Sequence, residues 1–496
     1  MNFNMEKELL PGLPAYAGGR MAGKVYDAGR GLHATFNDGL PYMQTEPVNM
    51  SRHLLEMHRL ALMGCQITLK DQNQRLEAEI VGKSRAFHIE KNGNDLRVTP
   101  RKLRADVQDD APCLERAVVD TDRAAFDAYI ALLEQQGFSR IWENQIENNS
   151  FLELQQGQRL IYAAFMGNSG VARFVDDTVS APITALSGGT ATGKKTELCQ
   201  FGLYYDRMTS GVTADCGMLY MLRLPDNSLF VVDGGEYEQS TDAAAAEVMR
   251  LMRAWTGTQE NEKIRIAGWF CTHAHDDHLD MFAKLLRLHH DAIDLQRIIF
   301  NFPAYQHYQL MPSAFVALQR MTEYYPNALY LKPHAGQEFT LAGVKFQFLQ
   351  THEDSIREKG DELIGGFNDA STVLKISFDG ISFLLLGDID VDAEKILLEN
   401  YSARTLHVTA VQTAHHLINL LPRAYDVIAA EEALIPANVS KADPNNPKYM
   451  NLLRSVPREH MHFAFDGTTI WTEEAGRLVC RETLPVVGGR FDGSLL

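Results

Sequence analysis

The chain has 496 residues, 45% of them hydrophobic, and a formal net charge of −17. That length suffices for two or three domains with buried cores. The acidic balance disfavours a protein that grips extended nucleic acid by its phosphates, which needs clustered Lys and Arg, and no apolar run is long enough to span a bilayer.

From the N-terminus, Met1 to Tyr16 is broken by charges and by Pro11 and Pro14, and it reads as lacking the apolar core of an export signal. Residues 1–45 as a whole are rich in Gly, Pro and Asn and read as an irregular, partly docked lead-in. Residues 46–180 read as an α+β accessory domain. Within it, residues 85–90 and 96–99 flank Lys91-Asn92-Gly93-Asn94-Asp95, a hairpin signal. A helix is predicted over 122–136, with Phe126, Tyr129, Ile130 and Leu133 on one face and Gly137 as its stop. Alternating segments follow, punctuated by Asn148-Asn149, Gln156-Gly157 and Gly167-Asn168-Ser169-Gly170. They predict an antiparallel meander packed on that helix and ending near Asp177. Residues 181–198 read as a linker. Gly188 to Lys195 approaches a phosphate-binding loop, but Lys195 stands where Ser or Thr should follow Lys194, and Thr196 comes one residue late.

Residues 199–496 alternate strands and helices. Met218 to Leu224 and Ser228 to Val232 predict a hairpin across Pro225-Asp226-Asn227, and Val248, Leu251, Met252 and Trp255 form a helical stripe suited to a core. Then Lys263 to Cys271 reads as a buried strand and Leu279, Phe282, Leu285, Leu286 and His289 as a helix. Between them lies His273-Ala274-His275-Asp276-Asp277-His278. Buried imidazoles and carboxylates at this density need partners or a metal. Residues two apart on an extended segment point the same way, so His273 and His275 can grip one ion while Asp277 and His278 reach a second. Those donors favour two divalent cations, zinc first, with manganese or iron as alternatives.

This arrangement of strand, His-x-His-x-Asp-His and helix resembles the metallo-β-lactamase fold superfamily of metal-dependent hydrolases. The resemblance spans residues 199–496 and implies an α/β fold, an αββα sandwich of two mixed sheets with the metals at one edge. In such a fold Asp233, ending the strand Ser228 to Val232, would orient the ligand loop by hydrogen bonds. Gly387-Asp388 after the strand from Ile381 would present Asp388 to both ions. His415 is the expected last ligand, beside Asp277 and His278, with His416 a neighbour that touches substrate or takes its place. Asn301-Phe302-Pro303 would approach the rim, whereas His307, His334 and His352 read as surface or hydrogen-bonded histidines, His352 being the best outsider.

One loop departs from the common pattern. Where most relatives carry a further His, this chain reads Gly366-Phe367-Asn368-Asp369-Ala370-Ser371. That loop, the His415-His416 pair and Asp215 in Ala214-Asp215-Cys216-Gly217-Met218 resemble a narrower branch. It contains the hydrolase domain of the DNA-importing competence channel and its free-standing relatives. Asn368, Asp369, His352 or water is left to complete the first ion's coordination. Leu417 stands where the branch usually has Gly, and Asp280-Met281 replaces its glycines, which changes the pocket's shape more than its metals.

The resemblance implies a hydroxide bridging the two ions as nucleophile, with Asp277 orienting it and His416 or a more distant His protonating the leaving group. The expected reaction is hydrolysis of a phosphodiester or related phosphoester, on a small molecule or a short phosphodiester. A same-fold hydrolase of esters, thioesters, amides or lactams is the rival, and a metal-dependent binding or sensory protein the alternative from another class. The six cysteines, at 65, 113, 199, 216, 271 and 480, are scattered without close pairs. They predict neither disulfides nor a thiolate zinc knot, which fits a reducing cytoplasm.

Overall fold

The computed structural model describes residues 8–23, 25–27, 113–177, 180–203, 217–235, 242–303, 324–355 and 368–487, with the backbone of four strands between 66 and 102. Most of the lead-in, Cys65, Asp215 and Cys216, His307, and Gly366 and Phe367 lie outside the described residues.

The N-terminal strands β1 (Arg20–Met21) and β2 (Tyr26–Asp27) pair with β7 (Leu114–Val119). Four strands, β3 (Gln66–Gln72), β4 (Arg75–Val81), β5 (Arg85–Asn92) and β6 (Asp95–Lys102), form a sheet of their own, in which β5 and β6 make the expected hairpin. Helix α1 (Arg123–Gln135) is capped by Asp122, whose carboxylate accepts from Ala125 N. It buries Phe126, Tyr129, Ile130 and Leu133, the stripe its spacing predicts. Against it lies the meander β8 (Ser139–Ile146), β9 (Asn149–Gln156), β10 (Arg159–Met166) and β11 (Val171–Asp176), contributing Leu152, Leu154, Ile161, Phe165 and Phe174 to one cluster. Leu9, Leu10 and Leu13 join that cluster, which docks this described part of the lead-in.

Two further sheets follow, both mixed. The first contains β12 (Glu197–Gln200), β13 (Leu219–Arg223), β14 (Leu229–Asp233), β15 (Ile264–Cys271), β16 (Ile293–Leu295), β17 (Arg297–Phe300) and β18 (Leu329–Leu331). The second contains β19 (Glu338–Leu341), β20 (Val344–Gln350), β21 (Val373–Phe378), β22 (Ile381–Leu385), β23 (Ala410–Gln412), β24 (Glu432–Ile435) and β25 (Met461–Phe463). The last strands, β26 (Thr468–Glu474) and β27 (Arg477–Leu484), return to the first sheet beside β12. A single buried cluster draws Phe230, Phe270 and Ile299 from the first sheet and Phe346, Phe348 and Phe383 from the second. Helices α2 (Asp242–Thr256) and α3 (Asp276–His289) pack their apolar faces on a separate cluster with Met221, Val231 and Trp269 of the first sheet. Helix α4 (Val391–Asn400) belongs to a third cluster, shared with Phe151 and Tyr162 of the N-terminal meander.

The segment read as a linker is docked. Ile183 and Leu186 are buried between the two sheets, and Gly188 bridges to Leu341. The resemblance to a phosphate-binding loop ends there as well, because a strand, β12, follows it where such a loop opens a helix.

Candidate metal centre

Strands β14, β15, β22 and β23 run parallel within their sheets at the relevant neighbours, so their C-terminal ends deliver Asp233, His273, Asp388 and His415-His416 to one edge. The motif leaves β15 extended. His275 is the N-cap of α3, with φ −89° and ψ 154°, and the helix begins at Asp276. This change from strand to helix lets six residues serve two positions. The ligand atoms of Asp277, His278, Asp388 and His416 all lie within 4.8 Å of one another, as do those of His273, His275 and Asp388. Asp388 belongs to both sets.

The hydrogen bonds around the histidines determine which nitrogen faces inward. His278 Nδ1 donates to Asp233 Oδ2 at 2.6 Å, and His416 Nδ1 donates to the Pro436 carbonyl at 2.9 Å. Asp233 also accepts from Thr272 N at 2.7 Å and Thr272 Oγ at 2.8 Å. With its only proton given to Asp233, the Thr272 hydroxyl accepts from His273 Nδ1 at 3.1 Å. All three imidazoles therefore turn an Nε2 lone pair toward the centre, the arrangement in which metal-binding histidines are held by outer partners.

The Nε2 atoms of His278 and His416 stand 3.2 Å apart. Asp388 Oδ2 is 3.1 Å from the first and 3.4 Å from the second, and Asp277 Oδ2 is 3.1 Å from His416. Four acceptors, three of them buried and Asp277 partly so, repel when they point at one another unless a cation lies among them. Two ligands about 2.0–2.1 Å from one tetrahedral ion are about 3.3 Å apart, so the spacing suits zinc. Both oxygens of Asp388, Nε2 of His273 and Oδ1 of Asn368 are buried without a well-formed hydrogen bond. The residues present thus fit a metal. The same demand for positive charge appears in the protonation of the site. Burial lowers the His416 pKa, but Asp388 and Asp277 outweigh it and push it up to about 9. His278 is likewise raised, burial being overcome by Asp388, Asp233 and Asp277. Burial and the neighbouring His278 hold His273 well below its usual range.

The sequence reading and the geometry part at the last ligand. His415, His416 and Leu417 all have positive φ, at 47°, 49° and 57°, and this left-handed run sends His416 inward. His416 is fully buried in the four-residue set, whereas the His415 side chain keeps 18% exposure and lies 3.8 Å from Asp388. Leu417 adopts the conformation that glycine takes freely, at a cost of about 1–2 kcal/mol, and its buried side chain offsets this. Gly387, at φ 57°, is required: a Cβ there would come 2.8 Å from that of Ser371.

Of the candidates for completing the first ion's shell, two are directed elsewhere. Asp369 Oδ1 accepts from Asp390 N and Ala393 N at the start of α4. His352 Nε2 is hydrogen-bonded to Asn301 Oδ1 at 2.8 Å, in a buried group that also contains Lys332 and Glu353. Asn368 remains, its amide 3.3 Å from His415 Nδ1. His334 is buried between Asp177 and Glu353, and Cys271 is a buried free thiol. Sequence reasoning assigned no role to Thr272, Ser371 or Gln412. Ser371 Oγ accepts from Asp388 N, and Gln412 Oε1 accepts from Leu386 N and Gly387 N, which together hold the Gly-Asp turn. A hydroxyl directly before the first His was the one available signal for Thr272.

No family model and no curated protein matches this chain. Among solved structures, it is similar to CmlA, a diiron β-hydroxylase from Streptomyces venezuelae, at 13% identity and a TM-score of 0.31. The match covers 54% of this chain and 52% of that one, so the chain spans about half the length of that protein. Similarity at this level carries no argument about fold or reaction. Among the described residues, no helix is long and apolar enough to cross a membrane.

Proposed function

We propose that this chain is a metal-dependent hydrolase with the αββα sandwich of the metallo-β-lactamase superfamily in residues 199–496. We propose further that it cleaves a phosphodiester or related phosphoester. The observation that carries the reading is the pair of imidazole Nε2 atoms 3.2 Å apart, each fixed by an outward Nδ1 donor and each facing Asp388. Asp277, His278, His416 and Asp388 would hold one divalent ion, and His273, His275 and Asp388 the other, zinc being favoured by the imidazole donors. When bound, such ions supply Lewis acidity toward a phosphoryl oxygen and make water a competent nucleophile at neutral pH.

The chain's own side chains divide the remaining work. Asp277 accepts toward the open side of the site and orients the attacking water. His416, fully buried and tied to Pro436, serves as a ligand. His415, partly exposed at the lip, meets the substrate, and Asn368, whose Oδ1 is buried, is left to complete the coordination on the His273 side. The Asn368 loop and the His415-His416 pair, which resemble the competence-type branch, favour a phosphodiester over an ester or lactam. The net charge of −17 favours a small or short substrate over extended nucleic acid.

Metal analysis should find up to two ions per chain, most of them lost in His275→Ala/Asp277→Ala. Turnover of a bis-aryl phosphodiester with zinc or manganese should exceed that of an aryl ester. Unchanged metal content in the double variant overturns the site, and a preference for the ester overturns the substrate class.

A further inference from the structure

The turns of the N-terminal meander grip the end of α4. Asn149, fully buried, donates from Nδ2 to the Asn400 carbonyl at 2.8 Å and accepts from Gly167 N at 2.9 Å. Asn168 Nδ2 donates to the Glu399 carbonyl at 2.9 Å. The last carbonyls of a helix have no partners within it, and here a separate sheet supplies them. Just beyond, the Glu147 carboxylate accepts from Ser402 N at 3.1 Å, Ser402 Oγ at 2.9 Å and Thr405 Oγ at 2.6 Å.

A second grip lies beside the first. Arg173 of β11, buried, bonds Glu115 and Asp354, each at 2.7 Å. Asp354 belongs to the turn that ends β20, and from β20 Gln350 Nε2 donates to the Ala393 carbonyl in the first turn of α4. Phe151 of β9 lies against Gly336, where a Cβ would come 2.1 Å from its ring. At its other end α4 begins three residues after Asp388, and Asp390 and Asp369 cap it.

We infer that the N-terminal meander is a brace for the metal centre: through α4 it sets the position of Asp388, with Glu147, Asn149, Asn168 and Arg173 as positioning residues. This rests on the reading of Asp388 as the shared ligand. Metal–ligand distances tolerate only about 0.2 Å, so a helix released at its far end displaces a carboxylate that both ions need. The N-terminal part is then a component of the site and not a detachable recognition module.

The test uses the full chain. Glu147→Ala/Asn168→Ala removes half-buried and exposed side chains and should fold; Asn149→Ala strips two buried hydrogen bonds and is the stronger form. The readouts are amide hydrogen exchange of the metal-free protein and calorimetric zinc titration. Expected in the double variant are faster exchange across residues 387–402, with the rest of the chain unchanged, and zinc affinity lowered about tenfold, as for partners behind metal ligands. Glu147→Gln, which keeps an acceptor oxygen, should retain near wild-type values. Faster exchange in α4 with wild-type zinc affinity overturns the inference, and so does unchanged exchange. If the wild-type chain takes up no zinc, the metal reading fails instead. The brace is then judged by exchange at residues 387–390, where faster exchange supports it and no change overturns it.

Discussion

Among the described residues, two largely buried clusters of histidine and carboxylate solve the same electrostatic problem differently. In one, Asp177 and Glu353 flank His334 at 3.0 and 2.7 Å, Lys332 lies 3.5 Å from Glu353, and Arg173 joins Glu115 to Asp354. Side-chain cations stand between the acids. In the other, Asp277, His278, Asp388 and His416 turn acceptors toward one another and, among the described residues, no Lys or Arg pairs with them. Density of His and Asp is therefore no measure of metal binding. What separates the clusters is whether Lys and Arg stand among the acids, and whether the outer partners leave an imidazole nitrogen facing inward.

The contrast can be broken by deleting one charge from each side. Asp388→Ala should abolish hydrolysis under limiting metal while the circular dichroism spectrum is unchanged; near wild-type turnover would remove Asp388 from its bridging role. In the junction, Arg173→Met leaves the buried Glu115 and Asp354 without their cation. It should cost about 3–5 kcal/mol in denaturant unfolding, with or without zinc. A loss below 1 kcal/mol would mean the acids shed their charge easily, and the two clusters would then be more alike than their geometry suggests.

Acidity sharpens the same comparison. Burial lowers the His334 pKa, but Glu353 and Asp177 outweigh it and push it up to about 9. The folded pKa lies above the unfolded value near 6.5, so the contribution to stability is complete below that pH and is lost as pH rises through about 9. Unfolding free energy should fall by on the order of 3 kcal/mol across that window. His334→Gln should flatten the fall, and an equally steep decline in that variant would assign it to another group.

The smallest expected effect concerns the asymmetry within the candidate metal centre. The set with His273 and His275 contains one imidazole-bearing segment and Asp388, and Asn368 is the nearest candidate to complete it. A neutral amide oxygen binds zinc less well than imidazole. Chelation should thus proceed in two steps with this ion leaving first, and Asn368→His should tighten it about tenfold. A single chelation step would show the two positions to be equivalent.

Much of the centre is legible in the sequence because its ligands are close together on a chain whose direction is known. A buried strand ending at Cys271 and a helix beginning at Asp276 fix where His273, His275, Asp277 and His278 point relative to one another. The same local logic covers α1, whose apolar spacing and Asp122 cap need no tertiary information. It fails where the deciding partner is remote. His415 and His416 are indistinguishable as neighbours in sequence until three left-handed residues and the Pro436 carbonyl choose between them. Asp369 resembles a ligand until α4 claims its carboxylate.

Residues 181–198 read as a linker because Ile183 and Leu186 sit in a Gly- and Thr-rich frame without periodicity, and only the gap between two sheets gives them a place. Asn149 and Asn168 read as turn residues, which they are, but the helix end they satisfy lies more than two hundred residues away in the chain. The sequence by itself determined the ligand types, their local order and the elements that carry them, since those follow from backbone period and side-chain chemistry. Tertiary structure alone decided which histidine turns inward, which carboxylates are diverted and what holds Asp388 in place. Those choices depend on hydrogen-bond partners that come within 3 Å only when the sheets pack.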